Sequence, residues 1–385
     1  MDRAAPRSPE NGTVSVPLKR VIKGLLLFAV SASLFVYVLS SENVDLPRVW
    51  DLMSQANVLL VVVAIVFSTL SFALLPTLRW QRTLSAMGYR ISFRRLLFVR
   101  FGAQPFKFSI PMKGGEAFRA VYLRRRFGVP MAEALGSILF DMFLVAVAQL
   151  TFVCIGVALA GSDAHHVFLP AAGVLTIGLV LSSKRFQGWL VRLTRFGPSW
   201  LHDRVKQVVH GFLRFPLSTK CELTAMSFVV EFSEVFSVYL CCLALGFQVP
   251  MWAVLTYMPI VMAWTLILGP VTIRGFGARE AAFLTLLQGL ASPEHLTSAV
   301  LLFEFVEFIL PAALGCFFLS SFVADLGKTP VAEQSNVVVE ATPSSLWTVL
   351  AENRRWWLVP FLFTAGLFLL FLWLTKSGAV TPFVY

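Results

Sequence analysis

Long apolar runs are the feature that most constrains this fold. A stretch of about 20 apolar residues can cross a bilayer as a helix, and the sequence contains several such stretches. Hydrophobic residues make up 57% of the 385 residues and charged residues 14%, whereas soluble domains carry about 25% charged residues. The sequence therefore predicts an all-α polytopic protein of the cell (cytoplasmic or inner) membrane. Seven spans are predicted, near 19–40, 57–78, 131–160, 167–183, 222–246, 296–323 and 356–374.

Lys and Arg residues predict the orientation, because they are enriched in cytoplasmic loops. Segment 79–95 contains five arginines and no acid, and segment 184–220 contains eight cations and one acid. Segment 41–56, by contrast, contains three acids and one arginine. The N-terminus is thus predicted inside and the C-terminus outside. The net charge of +11 is then mostly a topology signal, with some attraction to anionic lipid heads at the cytoplasmic face and no need for a nucleic-acid partner.

Two further apolar stretches are interrupted by Pro, Gly and charge. The first, 96–111, contains Arg100, Pro105 and Lys107, and the second, 250–290, contains the string "LGPVTIRGFGARE". Irregular backbone at membrane depth is tolerated where protein or a water-filled cavity surrounds it. Both stretches are therefore predicted to begin re-entrant helical hairpins. For 113–127 the alternative is an amphipathic helix lying on the cytoplasmic surface.

The two interrupted regions share a spacing of features. In each, an acid is followed 13 or 14 residues later by a proline, and a second acid comes 11 residues after that proline. With the predicted topology, one unit (96–160) enters from the cytoplasm and the other (250–323) from outside. Such inverted-topology repeats build many transporters, whose broken helices meet at the substrate site. The two series are Glu116, Pro130, Asp141 and Glu280, Pro293, Glu304.

Acidic residues inside the predicted spans also require an explanation. One charge at a helix centre costs about 2.5–3.5 kcal/mol on insertion scales. These acids must face the protein interior, pair with cations or be protonated. Simple interhelical salt bridges are the alternative to a functional site. The acids are Asp141, Glu231, Glu234, Glu304 and Glu307, and the candidate cations are Lys107, Lys113, Arg119, Arg274 and Arg279.

Glycines precede both predicted second half-helices. Gly114 and Gly115, like Gly275 and Gly277, let backbone approach a ligand closely. Free N–H groups at a helix start favour an anion such as phosphate, and a neighbouring arginine can clamp it. We therefore expect Gly115 and Arg119 to meet a lipid phosphate. For Glu116 and Glu280, the alternative is an ordinary preference of acids for helix N-termini.

The strings "PVTIRGFGARE" and "KGGEAFR", with the "LRRR" that follows the second, resemble the transmembrane region of lysylphosphatidylglycerol synthase/flippase proteins. The resemblance extends over about 20–325, and it implies lipid translocation. The sequence departs from the family pattern at Met142 and Val145, where the family often has Arg and Asp. Arg274 stands where the family usually has a small residue. The soluble aminoacyl-transferase domain of fused relatives is not expected in these 385 residues.

The predicted organisation is a disordered cytoplasmic tail at 1–18, a flippase-like domain at 19–325, a cytoplasmic linker at 326–355 and a last helix at 356–374. The substrate is predicted to be a membrane lipid. No catalytic residue, cofactor or metal is expected. The predicted substrate-binding residues are Lys113, Gly114, Gly115, Glu116, Arg119, Asp141, Thr272, Arg274, Gly275, Gly277, Arg279, Glu280 and Glu304.

Two other functions fit parts of the sequence. Some relatives have been described as polyprenol-phosphate-dependent glycosyltransferases, and intramembrane carboxylates suit such a lipid-modifying enzyme. A non-catalytic assembly protein is the third reading, although it gives the intramembrane acids no purpose.

Two residues of the motifs have expected partners. Glu116 is expected to meet a cationic headgroup or an arginine of the second motif, and Arg279 is expected to meet an anionic headgroup.

Overall fold

Helices are the only extended secondary structure in the described part of the chain. The computed structural model describes residues 29–37, 40, 44–109, 115–160, 192, 215–268, 272 and 275–328. Within these residues there is no β-strand, which confirms the all-α fold class. The helices are α1 (29–37), α2 (Leu46–Ser54), α3 (Val58–Ala86), α4 (Phe93–Ser109), α5 (Gly115–Phe127), α6 (Met131–Leu159), α7 (Leu217–Ala244), α8 (Met251–Leu268), α9 (Ala278–Leu287) and α10 (Pro293–Gly327).

Four of these helices are long and apolar enough to cross a membrane. They are α3, α6, α10 and the Ser218–Ala244 part of α7. They coincide with the predicted spans at 57–78, 131–160, 222–246 and 296–323, although α3 continues eight residues further than predicted. Helix α1 overlaps the predicted span at 19–40. The predicted spans at 167–183 and 356–374 lie outside the described residues.

Local sequence explains where the long helices begin. The side chain of Asn57 accepts hydrogen bonds from the N–H groups of Leu59 (3.0 Å) and Leu60 (3.3 Å), so it caps α3. Ser292 caps α10 in the same way, through the N–H of His295. Pro293 then occupies the first turn of α10, where its missing N–H costs nothing.

Helices α3 and α10 each contain one π-helical segment. These are Leu70–Leu74 in α3 and Phe305–Ile309 in α10. A proline, Pro76 or Pro311, lies two residues after the end of each segment. Because proline has no N–H, it leaves the carbonyl four residues earlier without its helical donor. The two defects therefore release the carbonyl groups of Phe72 and Glu307 inside membrane-length helices, and such π-bulges are frequent at functional sites.

Two pairs of half-length helices pack reciprocally against the long ones. Helix α4 lies along α10 and is followed by α5, while α8 lies along α6 and is followed by α9. Glycine makes both crossings close. A Cβ at Gly315 of α10 would lie 2.6 Å from the carbonyl oxygen of Phe101, and one at Gly156 of α6 would lie 2.7 Å from that of Trp252. Each pair thus packs its first helix against a long helix of the other predicted unit.

Candidate functional site

An ion pair between α3 and α6 forms the centre of the first polar cluster. The Nε atom of Arg79 lies 2.6 Å from Oδ1 of Asp141, and its Nη1 atom donates to Oγ of Ser227 on α7 at 2.7 Å. Arg79 is 1% exposed. The predicted basic segment 79–95 therefore begins inside α3, which continues to Ala86 and places Arg79 among the helices. Asp141 is buried as predicted, and its partner comes from a helix that sequence reasoning had ended too early.

Arg119 of α5 is stacked on an aromatic ring. Its Cζ atom lies 4.0 Å from the centroid of Trp80, whose indole Nε1 donates to Oγ of Ser137 at 3.1 Å. Cation–π contacts of this kind contribute about 2 kcal/mol when they are desolvated. Arg119 also forms an ion pair with Glu116 one turn earlier, with Nη1 2.5 Å from Oε2. This ion pair lies within one motif, whereas the sequence predicted a partner in the second motif or in the ligand.

Arg100 of α4 joins this cluster through the helix defect in α3. Its Nε atom donates at 2.5 Å to the carbonyl oxygen of Phe72, the acceptor that Pro76 releases. The charged neighbours that act on Arg100 include Arg119, Asp141, Glu116 and Arg79. We call Arg79, Trp80, Arg100, Glu116, Arg119 and Asp141 the first cluster.

The second cluster is centred on Arg279 of α9. Arg279 forms an ion pair with Glu304 of α10, and its Cζ atom lies 3.9 Å from the ring centroid of Phe308. Both charged residues are buried. Each cluster thus places an arginine of a short helix on an aromatic ring and beside a glutamate. We call Thr272, Arg279, Glu280, Glu304 and Phe308 the second cluster.

The glycine motif forms the turn that starts α9. Oγ1 of Thr272 accepts a hydrogen bond from the N–H of Gly275 at 3.2 Å, and Oε2 of Glu280 accepts one from the N–H of Gly277 at 2.6 Å. Gly277 has a φ of +84°, and a Cβ there would lie 2.6 Å from the carbonyl oxygen of Ser31 in α1. Glu280 therefore caps the N-terminus of α9 through Oε2. The sequence alone left this helix-terminal role open as the alternative to a role in ligand binding.

A series of buried polar residues on α3, α7 and α10 continues from the first cluster. Oγ of Ser71 donates to Oε1 of Glu307 at 2.9 Å, which joins the two π-helical segments. Glu231 lies one turn beyond Ser227 on α7, and the charges acting on it include Arg79 and Glu307. Buried polar groups thus follow one another from the first cluster through Ser227 and Glu231 to Ser71 and Glu307.

The structure divides the predicted site residues between the two clusters. Glu116, Arg119 and Asp141 belong to the first, while Thr272, Gly275, Gly277, Arg279, Glu280 and Glu304 lie in or beside the second. Gly115 begins α5. Lys113, Gly114 and Arg274 lie outside the described residues.

Sequence reasoning missed the contribution of α3. Arg79 and Trp80 lie on α3 beyond residue 78, where the predicted span ended. Ser71 and Pro76 lie inside that span, and Pro76 signals the released carbonyl of Phe72 that holds Arg100. Among the described residues, no group of three or more His, Cys, Asp or Glu side chains is arranged to hold a metal ion.

A tyrosine links α5 to the end of α10. The hydroxyl of Tyr122 donates to Oδ2 of Asp325 at 2.8 Å, and Nη1 of Arg125 donates to the carbonyl oxygen of Leu326 at 2.6 Å. Burial and the bond to Asp325 raise the pKa of Tyr122 above its ordinary value. These contacts connect the helix that carries Arg119 to the helix that carries Glu304.

Comparison with protein families identifies two regions of the chain. Residues 22–315 match the family described as the lysylphosphatidylglycerol synthase TM region. Residues 342–385 match a family of unknown function, DUF5989, and lie outside the described residues. No soluble aminoacyl-transferase domain family is among these two matches. A search of curated proteins found no match.

Proposed function

Because the chain belongs to the lysylphosphatidylglycerol synthase TM-region family, we propose that it is a flippase-like translocase, which moves a phospholipid or lipid-linked molecule between leaflets. The observation that carries the proposal is the pair of buried charged clusters built on membrane-length helices. Charges at membrane depth are costly, and they mark substrate or ion pathways. A lipid headgroup would cross along these groups, while its acyl chains remain in the bilayer.

The proposal includes an inverted arrangement of two re-entrant hairpins in the inner membrane. The α4–α5 pair enters from the cytoplasm and the α8–α9 pair from outside, with the N-terminus of the chain inside. The reciprocal packing of α4 on α10 and of α8 on α6 supports this arrangement, because each hairpin then contacts a membrane-length helix of the other unit. Arg124, Arg125 and Arg126, in the last turn of α5, would face the anionic heads of the cytoplasmic leaflet.

Reconstitution of the purified chain in liposomes tests the function. Head-labelled phospholipids are placed in both leaflets, and the fraction that becomes accessible to a membrane-impermeant quencher is measured over time. We expect exchange well above that of protein-free liposomes. The same samples are analysed for new lipid products, since product formation would favour the glycosyltransferase-type alternative. Exchange at the protein-free rate for every labelled lipid would contradict the proposal.

The variant Arg279→Lys adds a test of the second cluster. Lysine keeps the positive charge but loses the planar fork of guanidinium and its stacking on Phe308. We expect slower exchange with unchanged membrane insertion. Wild-type exchange in this variant would assign Arg279 a purely structural role.

A further inference from the structure

The described residues of the first cluster contain one more guanidinium than carboxylate. Arg79 faces Asp141 and Arg119 faces Glu116, while Arg100 is held through Nε by the neutral carbonyl of Phe72. The connection between α4 and α5, residues 110–114, contains no Asp or Glu. The six named residues thus contain three guanidinium groups and two carboxylates, and the three arginines are at most 9% exposed.

Three buried N–H positions in this cluster have no hydrogen-bond partner among the described residues. They are Nε and Nη2 of Arg119 and Nη1 of Arg100. Leaving a buried donor unpaired costs about 1–3 kcal/mol, and more for a charged group. Buried polar groups without partners are rare in native proteins. Their concentration on two neighbouring arginines indicates a ligand that accepts from both.

The geometry of Arg119 narrows the chemistry of that ligand. Glu116 occupies Nη1, and the two remaining groups, Nε and Nη2, form one edge of the planar guanidinium. This edge presents two parallel N–H directions that match two oxygens of a phosphate or carboxylate. The stacking on Trp80 fixes the plane of this fork before any ligand arrives.

Arg100 is fixed in a complementary way. The carbonyl of Phe72 is available because Pro76 cannot donate to it, so the defect in α3 determines the direction of the Arg100 side chain. Trp80, Val99, Ala103 and Ala120 belong to one buried apolar cluster, which places the helices of both arginines against α3. Arg119 is also the like charge that acts most strongly on Arg100.

We propose that the first cluster binds the phosphate of a net anionic lipid headgroup, with the free edge of Arg119 as a bidentate donor and Nη1 of Arg100 as the third donor. The inference deepens the proposed function and rests on it. A phosphodiester carries one negative charge, which suits a cluster of three guanidinium groups and two carboxylates. The cluster should therefore discriminate against lipids whose headgroup lacks a phosphate.

Binding to the purified full-length chain in an uncharged detergent tests this proposal without transport. The probes are dihexanoylphosphatidylglycerol, a short-chain glucosyl diacylglycerol that has no phosphate, and inorganic phosphate. We expect phosphatidylglycerol to bind at least tenfold more tightly than either other probe. Equal affinity for the glucosyl lipid would overturn the phosphate assignment. Equal affinity for inorganic phosphate would overturn the assignment to a lipid.

Variants connect the binding to the named donors. Arg119→Lys and Arg100→Gln should each weaken phosphatidylglycerol binding roughly tenfold, because each removes hydrogen bonds to a charged ligand. Arg82→Gln is the matched control, since Arg82 also lies on α3 but is partly exposed and lies 3.4 Å from Glu222 of α7. Its effect should stay within twofold. If Arg82→Gln and Arg100→Gln weakened phosphatidylglycerol binding equally, the loss would come from the net charge of the protein, and the proposed site would be overturned.

The binding measurement and the transport measurement can contradict the two proposals separately. Selective binding without leaflet exchange would contradict the translocase and leave the phosphate site. Exchange that persists in Arg119→Lys and Arg100→Gln, with no selective binding in the wild-type protein, would contradict the phosphate site and leave the translocase. Gel filtration and thermal unfolding of each variant confirm that the folded protein is being compared.

Discussion

Ser71 donates a hydrogen bond to Glu307 across two helix defects, with 2.9 Å between Oγ and Oε1. Each residue lies in a π-helical segment, and a proline lies two residues after the end of each segment. A second bond joins the same helices, because Oγ of Ser68 donates to the carbonyl oxygen of Val306 at 3.1 Å. The irregular parts of α3 and α10 are thus hydrogen-bonded to each other, as expected of non-helical backbone that is surrounded by protein at membrane depth.

Removing this hydroxyl should destabilise the protein. Hydrogen bonds to charged groups contribute about 1.5–3 kcal/mol, so Ser71→Ala should lower the free energy of unfolding by about that amount. Ser233→Ala is the control, because Oγ of the buried Ser233 bonds to the carbonyl of Val229 in its own helix. Denaturant unfolding in detergent measures both. Equal, small losses would show that the bond between Ser71 and Glu307 contributes little.

The Arg79–Asp141 pair allows a double-mutant test. Arg79→Met leaves a buried carboxylate without its cation, and breaking a buried pair in this way costs about 3–5 kcal/mol. Adding Asp141→Leu removes the isolated charge and should recover most of the loss. The exposed pair of Arg82 and Glu222 provides the comparison, since such pairs contribute about 0–1 kcal/mol. A double variant as unstable as Arg79→Met would show that packing, and not charge, dominates at this site.

Glycine at the crossing of α4 and α10 should be required for packing. A Cβ at Gly315 would lie 2.6 Å from the backbone oxygen of Phe101, whereas one at Gly327 meets nothing within 4 Å. Both glycines belong to the same helix. Gly315→Ala should cost about 1–3 kcal/mol through overpacking, and Gly327→Ala should be neutral or slightly stabilising. Thermal unfolding would contradict the close crossing if the two variants behaved alike.

Membrane topology can be tested at the two ends of α3. Asp51 precedes this helix and Arg90 follows it, and both are exposed. In a variant without the native cysteines, a cysteine at position 51 should react with an impermeant thiol reagent from outside the cell. Arg90→Cys should react after the inner face is opened. Outside the described residues, Asp163→Cys and Trp200→Cys make the same comparison, and reaction of both members of a pair from one side would contradict the proposed orientation.

Several features followed directly from the sequence. Apolar length determined four membrane-length helices, because a helix of about 20 apolar residues is stable in a bilayer without partners. The strings around Gly115 and Gly277 identified the family, which the comparison confirms. The acids at Asp141 and Glu304 were recognised as buried, because a lipid-facing charge at that depth is too costly.

Tertiary structure alone decided which charges meet. Arg79, Arg100 and Arg119 belong to three different helices, and their partners depend on how those helices cross. Local pattern could not separate an arginine at the end of a span from one in a cytoplasmic loop, since both follow an apolar run. The structure also decided that Arg279 faces Glu304, whereas Asp141, which the predicted repeat matches with Glu304, faces Arg79. Sequence spacing places residues along one helix, but the partner of a buried charge comes from the neighbouring helices. Those helices supply the opposite charges and hydrogen bonds that the membrane interior cannot provide.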